Sequence, residues 1–271
     1  MNNPTKKKNS KKLSPISHAI EAKSRKSTVT IARKNSNYFF WGAILLIAFA
    51  IFITYFNSLS SPFIYDDDAV IGANPTITSL WPMGLFQNIP EGVNSGTLHV
   101  IFSRPITNWT FALNYALGGM DPFGYHIFNV LMHISSAILI FGIVRGTLLS
   151  KSLGAQWGNS AALLALAIAL LWGVHPIQTN AIDYITQRLE SLAGFFYLSA
   201  LYCLIKSDES KHSTLWLSIG VLAAFLGMGS KETMVTAPAI LLLYDRTFLS
   251  GSFKEALTKR SWFYWVSDLR D

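Results

Sequence analysis

Six separate apolar segments constrain the fold of this sequence more than any other feature. They cover about residues 38–57, 124–146, 160–174, 190–205, 213–229 and 233–249. Each is long enough, or nearly so, to cross the ~30 Å hydrocarbon layer of a bilayer as a helix. A helix crosses lipid because it satisfies its own backbone hydrogen bonds, which an open strand edge cannot do. The pattern therefore predicts an all-α, polytopic membrane protein with about six transmembrane helices.

The composition agrees with a membrane protein. Hydrophobic residues make up 51% of the chain and charged residues only 14%, whereas soluble domains carry about 25% charged residues. The net charge of +7 is misleading, because ten of the 22 basic residues lie before residue 35, against the single acid Glu21. We interpret residues 1–37 as a disordered, basic cytoplasmic tail that sets topology and attracts anionic lipid. Nucleic-acid binding is the disfavoured alternative.

The distribution of basic residues predicts the orientation of the helices. With the tail in the cytoplasm and the spans alternating, 19 Lys and Arg residues lie inside and three lie outside, as the positive-inside rule requires. We expect a transmembrane domain over 38–250 with a long first outer loop over 58–123. Residues 251–271 return to the cytoplasm or begin a truncated seventh span. A bacterial inner membrane is the favoured location, or the endoplasmic reticulum membrane if the source is eukaryotic.

The first outer loop carries three consecutive carboxylates, Asp66, Asp67 and Asp68, soon after the first span. Acidic clusters beside a membrane often belong to a site that takes a proton or meets a cation. The alternative is a solvated acidic turn. Farther along the loop, the segment 104–117 has the pattern of an amphipathic helix, with Pro105 in its first turn. We expect this helix to lie on the outer membrane surface.

Three single cations lie near the outer membrane boundary: Arg104, Arg188 and Lys231. Each can extend to a lipid headgroup, or the three together can form a site for a lipid phosphate. Acidic residues accompany them at Glu190 and Glu232.

Polar residues in the second span form a stripe of His126, Asn129 and His133, since spacings of three, four and seven share one helical face. We expect His133 to make interhelical hydrogen bonds and His126 to face the substrate. A metal site that also uses His175 is disfavoured, because no close-spaced ligand motif accompanies these histidines.

A series of short motifs occurs in order along the chain: Tyr65-Asp66-Asp67, Asn74-Pro75, Arg104-Pro105, Leu113-Asn114-Tyr115, Gly124-Tyr125-His126, His175-Pro176, Gln187-Arg188 with Glu190, and Lys231-Glu232. In their order and spacing, these motifs resemble the membrane domain of the transmembrane and tetratricopeptide-repeat O-mannosyltransferases and their bacterial relatives, which are GT-C glycosyltransferases. The resemblance runs over about residues 38–250, and tetratricopeptide repeats do not follow in this sequence. We expect an amino-terminal part of such a module, truncated or one of a split pair that a second chain completes.

The resemblance implies a partial GT-C fold and transfer of a sugar, with mannose favoured, from a polyprenyl-phosphate donor to a protein Ser or Thr hydroxyl. It implies that a carboxylate of the first outer loop is the general base, and it aligns Asp66 and Asp67 with the acidic pair of the family. The donor phosphate would bind cations, and further residues would support the substrates. No cofactor or metal is implied, since the lipid-linked sugar is itself a substrate. The expected phosphate ligands are Arg104, Arg188 and Lys231, and the expected supporting residues are His126, Asn129, Glu190 and Glu232.

Two other functions remain open from the sequence. A transporter or channel subunit would use the aspartates as a cation vestibule, but transporters more often place charges at mid-bilayer within internal repeats. A non-catalytic membrane scaffold needs none of the polar residues described above. Sugar transfer from a polyprenyl phosphate would distinguish the enzyme from both alternatives.

Overall fold

The structure is a computed structural model, and it describes residues 38–80 and 103–266. The predicted tail at 1–37, residues 81–102 of the outer loop and the last residues 267–271 lie outside the described ranges. By internal packing the chain divides after Leu45, and every contact discussed below lies in the unit Leu46–Asp271.

The described residues form helices and turns without a β-strand. Three of the described helices have the length and apolar composition to cross a membrane: Tyr38–Ser60, Pro122–Leu148 and Ile185–Glu209. The all-α membrane class is confirmed, whereas the number of six transmembrane helices is not. The main helices are α1 (Tyr38–Ser60), α2 (Pro105–Gly118), α3 (Pro122–Leu148), α4 (Ala161–Gly173), α5 (Arg188–Glu209), α6 (Ser213–Met228), α7 (Ala237–Tyr244) and α8 (Phe253–Val266).

A fourth candidate span is broken in the middle. Helix α4 continues after a short gap into Pro176–Asp183, at an angle of 50°. Proline causes the break, because Pro176 lacks the N–H that a continuing helix would use. The Nδ1 atom of His175 accepts a hydrogen bond from the N–H of Ile177 at 3.2 Å and thereby caps the new turn. The bend brings the chain to the start of α5.

The last two predicted spans are shorter in the structure than in the sequence analysis. Helix α6 has 16 residues, and the segment predicted at 233–249 consists of a 3-10 turn, the eight-residue α7 and a π turn at Asp245–Ser250. Even so, this segment follows α5 along its length. Lys231 forms an ion pair with Glu190 in the first turn of α5, and Asp245 lies in a cluster with Asp208 near the end of α5.

That cluster, the α5 C-terminal cluster, consists of Asp208, Asp245, Arg260 and Tyr264. Nη1 of Arg260 donates to both carboxylate oxygens of Asp245 at 2.8 Å, and Nη2 donates to Asp208 at 2.6 Å. The Tyr264 hydroxyl donates to Asp245 at 2.6 Å. Asp245 is completely buried, and a buried carboxylate needs such partners to offset its desolvation. The cluster therefore attaches α8 to α5 and to the end of α7.

Glycines let the long helices approach one another. A Cβ atom on Gly142 of α3 would lie 2.6 Å from the Tyr202 ring of α5, and one on Gly173 would lie 2.6 Å from Ile51 of α1. Lipid tails are as apolar as the helix surfaces, so the hydrophobic effect does not hold membrane helices together. Small residues instead let the helices pack closely. At the other end, the first loop, α2, α3 and the start of α5 share a small apolar core. Its buried members are Ile71, Ile77, Phe111, Ala112, Tyr125 and Ile185.

Candidate active site

The acidic turn separates its three carboxylates by exposure. Asp66 and Asp68 are exposed, whereas Asp67 has no exposed surface at all. Tyr65, just before them, has a φ of 51°, in the left-handed region that a non-glycine residue rarely adopts. This turn directs adjacent side chains to different surroundings, so the two aspartates of the predicted pair are not equivalent.

Asp67 is a buried anchor. Its Oδ2 accepts a hydrogen bond from the N–H of Ile64 at 3.0 Å. Its Oδ1 accepts the N–H of Thr186 at 2.8 Å and the Thr186 hydroxyl at 2.5 Å. Both oxygens are thus engaged by protein donors, and the side chain joins the first loop to the start of α5. Its surroundings favour a structural role over contact with a substrate.

Asp66 faces solvent beside an aromatic pair. Its N–H donates to the hydroxyl of Tyr184 at 3.1 Å. The rings of Tyr184 and Tyr65 meet edge to face, with centroids 5.8 Å apart. Sequence reasoning missed Tyr184 and Thr186, since nothing in their local pattern shows that they contact a loop 118 or 119 residues away.

The Asn74-Pro75 motif connects the acidic turn to α2. The Asn74 side chain caps the 3-10 turn Pro75–Thr78 by accepting from the N–H and the hydroxyl of Thr76, at 3.0 and 2.7 Å. Its amide donates to Asn108 of α2 at 2.9 Å, and Asn108 donates to Thr76 at 3.0 Å. The helix predicted after Arg104 is confirmed as Pro105–Gly118, and this amide network fixes its position.

Arg188 lies at the centre of the site and is completely buried. Its guanidinium donates to Asn129 at 2.7 Å, to Asn114 at 2.6 Å and to the carbonyl of Tyr125 at 2.9 Å. It also donates to the carbonyl of Thr110 at 3.2 Å. The rings of Phe128 and Phe111 lie 4.3 and 4.6 Å from its central carbon, within the range of cation–π attraction.

This environment differs from the exposed anion site that the sequence suggested for Arg188. The N–H groups of its guanidinium point at protein oxygens from α2 and α3, so the side chain holds these helices against α5. Its binding to a donor phosphate stays a prediction, and the burial favours a structural role. The sequence did offer one signal: Asn114 and Asn129 are amides in helical segments, and amides inside a membrane domain usually have polar partners.

The other two cations form ion pairs at the edge of the site. Lys231 pairs with Glu190, and Arg104 pairs with Glu232 at 3.2 Å. Among the described residues, Nε of Arg104 is buried without a hydrogen-bond partner. Arg104, Val70 and Thr186 line one small cavity, and Thr186 in turn binds Asp67 of the acidic turn.

Glu232 is largely exposed, yet its surroundings stabilise the charged form. A hydrogen bond from its own backbone N–H, followed by the contact with Arg104, holds the pKa of the Glu232 carboxyl below its usual value. Hydrogen bonds to the ionised form of an acid act in this direction. Glu232 is therefore ionised at neutral pH and can pair with the guanidinium of Arg104.

His126, His133 and His175 make separate contacts and do not share a ligand. Nε2 of His126 lies 3.1 Å from the carbonyl oxygen of Ser61, and Nε2 of His133 lies 2.8 Å from that of Gly173. His126 is buried, and its Nδ1 has no partner among the described residues. Within 38–80 and 103–266, no three potential metal ligands come together. Asn129 is used by Arg188 and by the carbonyl of Ile182.

A cavity of about 140 Å³ opens between α3, the bent α4 segment and α5. Its walls combine apolar side chains with a few polar groups, and Glu190 stands at its α5 side. Ligand pockets commonly combine these two kinds of lining. The lining residues are His133, Ser136, Trp172, Gln178, Ala181, Glu190, Ser191, Gly194 and Leu198.

The chain is similar in sequence to several curated proteins. It is 32% identical over 223 residues to protein O-mannosyl-transferase TMTC1 of Homo sapiens, a match that covers 78% of this chain and 24% of that protein. It is 33% identical over 198 residues to protein O-mannosyl-transferase Tmtc1 of Drosophila melanogaster, covering 72% of this chain and 21% of that protein. The match to human TMTC4 is 29% identical over 219 residues and covers 76% of this chain and 29% of that protein.

The chain thus spans less than a third of the length of these relatives. No family model matches the chain, and no solved structure matches it. Through these relatives, whose matched segments cover about three quarters of its residues, the chain is identified as a homologue of the TMTC protein O-mannosyl-transferases.

Proposed function

We propose that this chain is the part of a membrane glycosyltransferase that carries its general base. The reaction is transfer of mannose from a polyprenyl-phosphate donor to a Ser or Thr hydroxyl of a protein on the outer face of the membrane. The names of the relatives support a mannosyl transfer to protein. The exposed carboxylate of Asp66, next to its buried neighbour, is the observation that carries the proposal.

Asp66 suits the role of general base because it is reachable. An alcohol is a poor nucleophile until a carboxylate within about 3 Å removes its proton. As the acceptor oxygen bonds to the anomeric carbon, the bond from that carbon to the phosphate oxygen breaks. The proton passes to Asp66, and the lipid phosphate leaves as an anion. This direct displacement inverts the anomeric carbon.

Arg104 and Lys231 are the cations that we assign to the leaving phosphate. Both are partly exposed, and each is paired with a glutamate whose side chain is more exposed than its own. A phosphate could replace either carboxylate, because anionic oxygens bind Lys and Arg in the same way. Glu190 and Glu232 would then keep the empty site from binding unrelated anions. Arg188 supports the site from beneath, where it holds α2, α3 and α5 together.

We assign the cavity between α3, α4 and α5 to the part of the donor lipid chain next to the phosphate. The cavity lies between membrane helices and reaches Glu190, the partner of Lys231.

We also propose that the chain crosses the membrane six times. The segment from Lys231 to Asp245 joins the two ends of α5, and so it covers the same thickness as that helix despite the shortness of α7.

Sugar transfer in membranes that contain this chain tests the proposal. Radiolabelled polyprenyl-phosphate mannose and a Ser/Thr-rich acceptor protein are supplied, and Asp66→Asn is compared with Asp68→Asn, which removes the same charge two positions away. Transfer should fall at least ~10²-fold in the first variant and stay near wild type in the second. Donor binding should survive in Asp66→Asn and weaken in Lys231→Ala. Equal transfer by wild type and Asp66→Asn would remove the base from this loop.

A further inference from the structure

The hydroxyl of Tyr184 holds the backbone of Asp66. It accepts a hydrogen bond from the N–H of Asp66 at 3.1 Å. The contact joins two residues that are 118 positions apart in the chain. None of the roles assigned above depends on it.

The position of Tyr184 makes this contact rigid. It lies directly after Asp183, the end of the bent α4 segment, and before Ile185–Gln187, the 3-10 turn that leads into α5. Two residues later, Thr186 holds Asp67. The short segment from Tyr184 to Thr186 therefore fixes both aspartates, one through a buried side chain and the other through a phenol at the surface.

We propose that Tyr184 is a positioning residue for Asp66: by holding the Asp66 backbone, it presents the exposed carboxylate to the acceptor hydroxyl. This inference rests on the proposed function, since it assigns Tyr184 a role only if Asp66 is the base. Without the hydroxyl, the backbone of Asp66 would lose its bond to the segment before α5, and the carboxylate would be aligned with the acceptor less often. Small losses of alignment at a reacting centre reduce rates strongly.

Two further observations support the assignment. The edge-to-face contact with Tyr65 restrains the Tyr184 ring, so the hydroxyl is held in place before any substrate arrives. Burial is the main cause that raises the pKa of the Tyr184 phenol above its usual value. The phenol therefore stays neutral throughout the neutral range, and its oxygen continues to accept the N–H of Asp66.

The test is Tyr184→Phe, which removes the hydroxyl and keeps the ring beside Tyr65. We expect kcat for mannose transfer from polyprenyl-phosphate mannose to fall about 10-fold to 10²-fold. The KM for donor and the unfolding midpoint should not change. Tyr202→Phe is the matched control, because Tyr202 lies on α5 against Gly142 and Trp216, away from the acidic turn.

A double-variant cycle separates positioning from structure. If Tyr184 acts through Asp66, then Tyr184→Phe should have almost no effect in an Asp66→Asn background, because the aligned group is already gone. Independent, multiplicative effects would overturn the proposal. So would wild-type transfer by Tyr184→Phe, or a Tyr184→Phe protein that fails to fold, since the proposal gives the hydroxyl no structural role. Full transfer by Asp66→Asn would instead contradict the proposed function itself.

Discussion

Asp67 and Thr186 are joined by two hydrogen bonds, from the backbone N–H of Thr186 at 2.8 Å and from its hydroxyl at 2.5 Å. Both end on the same buried oxygen of Asp67. The pair attaches the first loop to the start of α5, next to the surface where Asp66 is exposed. Neighbouring aspartates therefore have different surroundings, and we propose that Asp67 contributes to folding and Asp66 to chemistry.

Asp67→Asn should lower the free energy of unfolding by about 1–3 kcal/mol, the cost of leaving buried polar groups without partners. An amide keeps one oxygen and replaces the other by an NH2 group, so the N–H of either Ile64 or Thr186 would face a donor instead of an acceptor. Chemical unfolding in detergent would measure the change. Asp66→Asn is the control, because that side chain is exposed, and its unfolding curve should match wild type. Equal destabilisation by the two variants would contradict the assignment.

Arg188→Lys should destabilise the protein strongly, by about 3 kcal/mol or more. Lysine keeps the charge but cannot reach Asn114, Asn129 and the Tyr125 carbonyl together. The buried acceptors would then lose their donors. The measurement is the fraction of folded, monodisperse protein after extraction, with Arg104→Lys as the control at a partly exposed cation. A well-folded Arg188→Lys protein with weakened donor binding would instead support the phosphate role that the sequence suggested.

Gly229→Ala should displace the start of α2. A Cβ atom at this position would lie 2.6 Å from Cγ1 of Ile106, whose backbone N–H donates to the Gly229 carbonyl at 2.9 Å. Overpacking of this kind costs about 1–3 kcal/mol. Removing the γ carbons in Gly229→Ala/Ile106→Ala should relieve the clash, so the double variant should lose less stability in thermal unfolding than the sum of the two single variants. Additive losses in the double variant would show that the two residues do not meet.

The Glu232 carboxyl should titrate below the usual value for glutamate, about 4.3. Because the folded pKa is depressed, its contribution to stability is present above the unfolded pKa and is lost as the pH falls through the folded pKa. The contribution is small, since the side chain is largely exposed. NMR titration of labelled glutamate would follow it. Arg104→Gln should move the pKa only part of the way back, because the first cause is the backbone N–H of Glu232 itself.

Much of the helical framework could be predicted from the sequence. Apolar length located α1, α3 and α5, and Pro105 with the glycines at 118 and 119 located α2. These signals are local, so they can be read without knowing which segments meet. The break after α4 was not predicted, although Pro176 was visible. The sequence predicted one continuous span over 233–249, whereas the structure has turns on both sides of α7.

The arrangement of the candidate site could be predicted only in part. The sequence identified the acidic turn, but it could not distinguish Asp66 from Asp67, since exposure there depends on Thr186 and Tyr184. It also suggested that Arg188 was a boundary cation, whereas partners on α2 and α3 bury it. Contacts between residues far apart in the chain decide both cases, and no local pattern encodes them.

The ion pair Lys231–Glu190 and the α5 C-terminal cluster restrain α5 at its two ends. A helix attached at one end alone can slide along its neighbours when the bilayer becomes thinner or thicker. With both ends attached to the chain that follows α6, sliding would break one attachment or the other. The segments can then respond to hydrophobic mismatch only by tilting together. The depth of the outer site would therefore follow the thickness of the membrane, and lipid composition becomes a variable that acts on the position of Glu190 and Lys231.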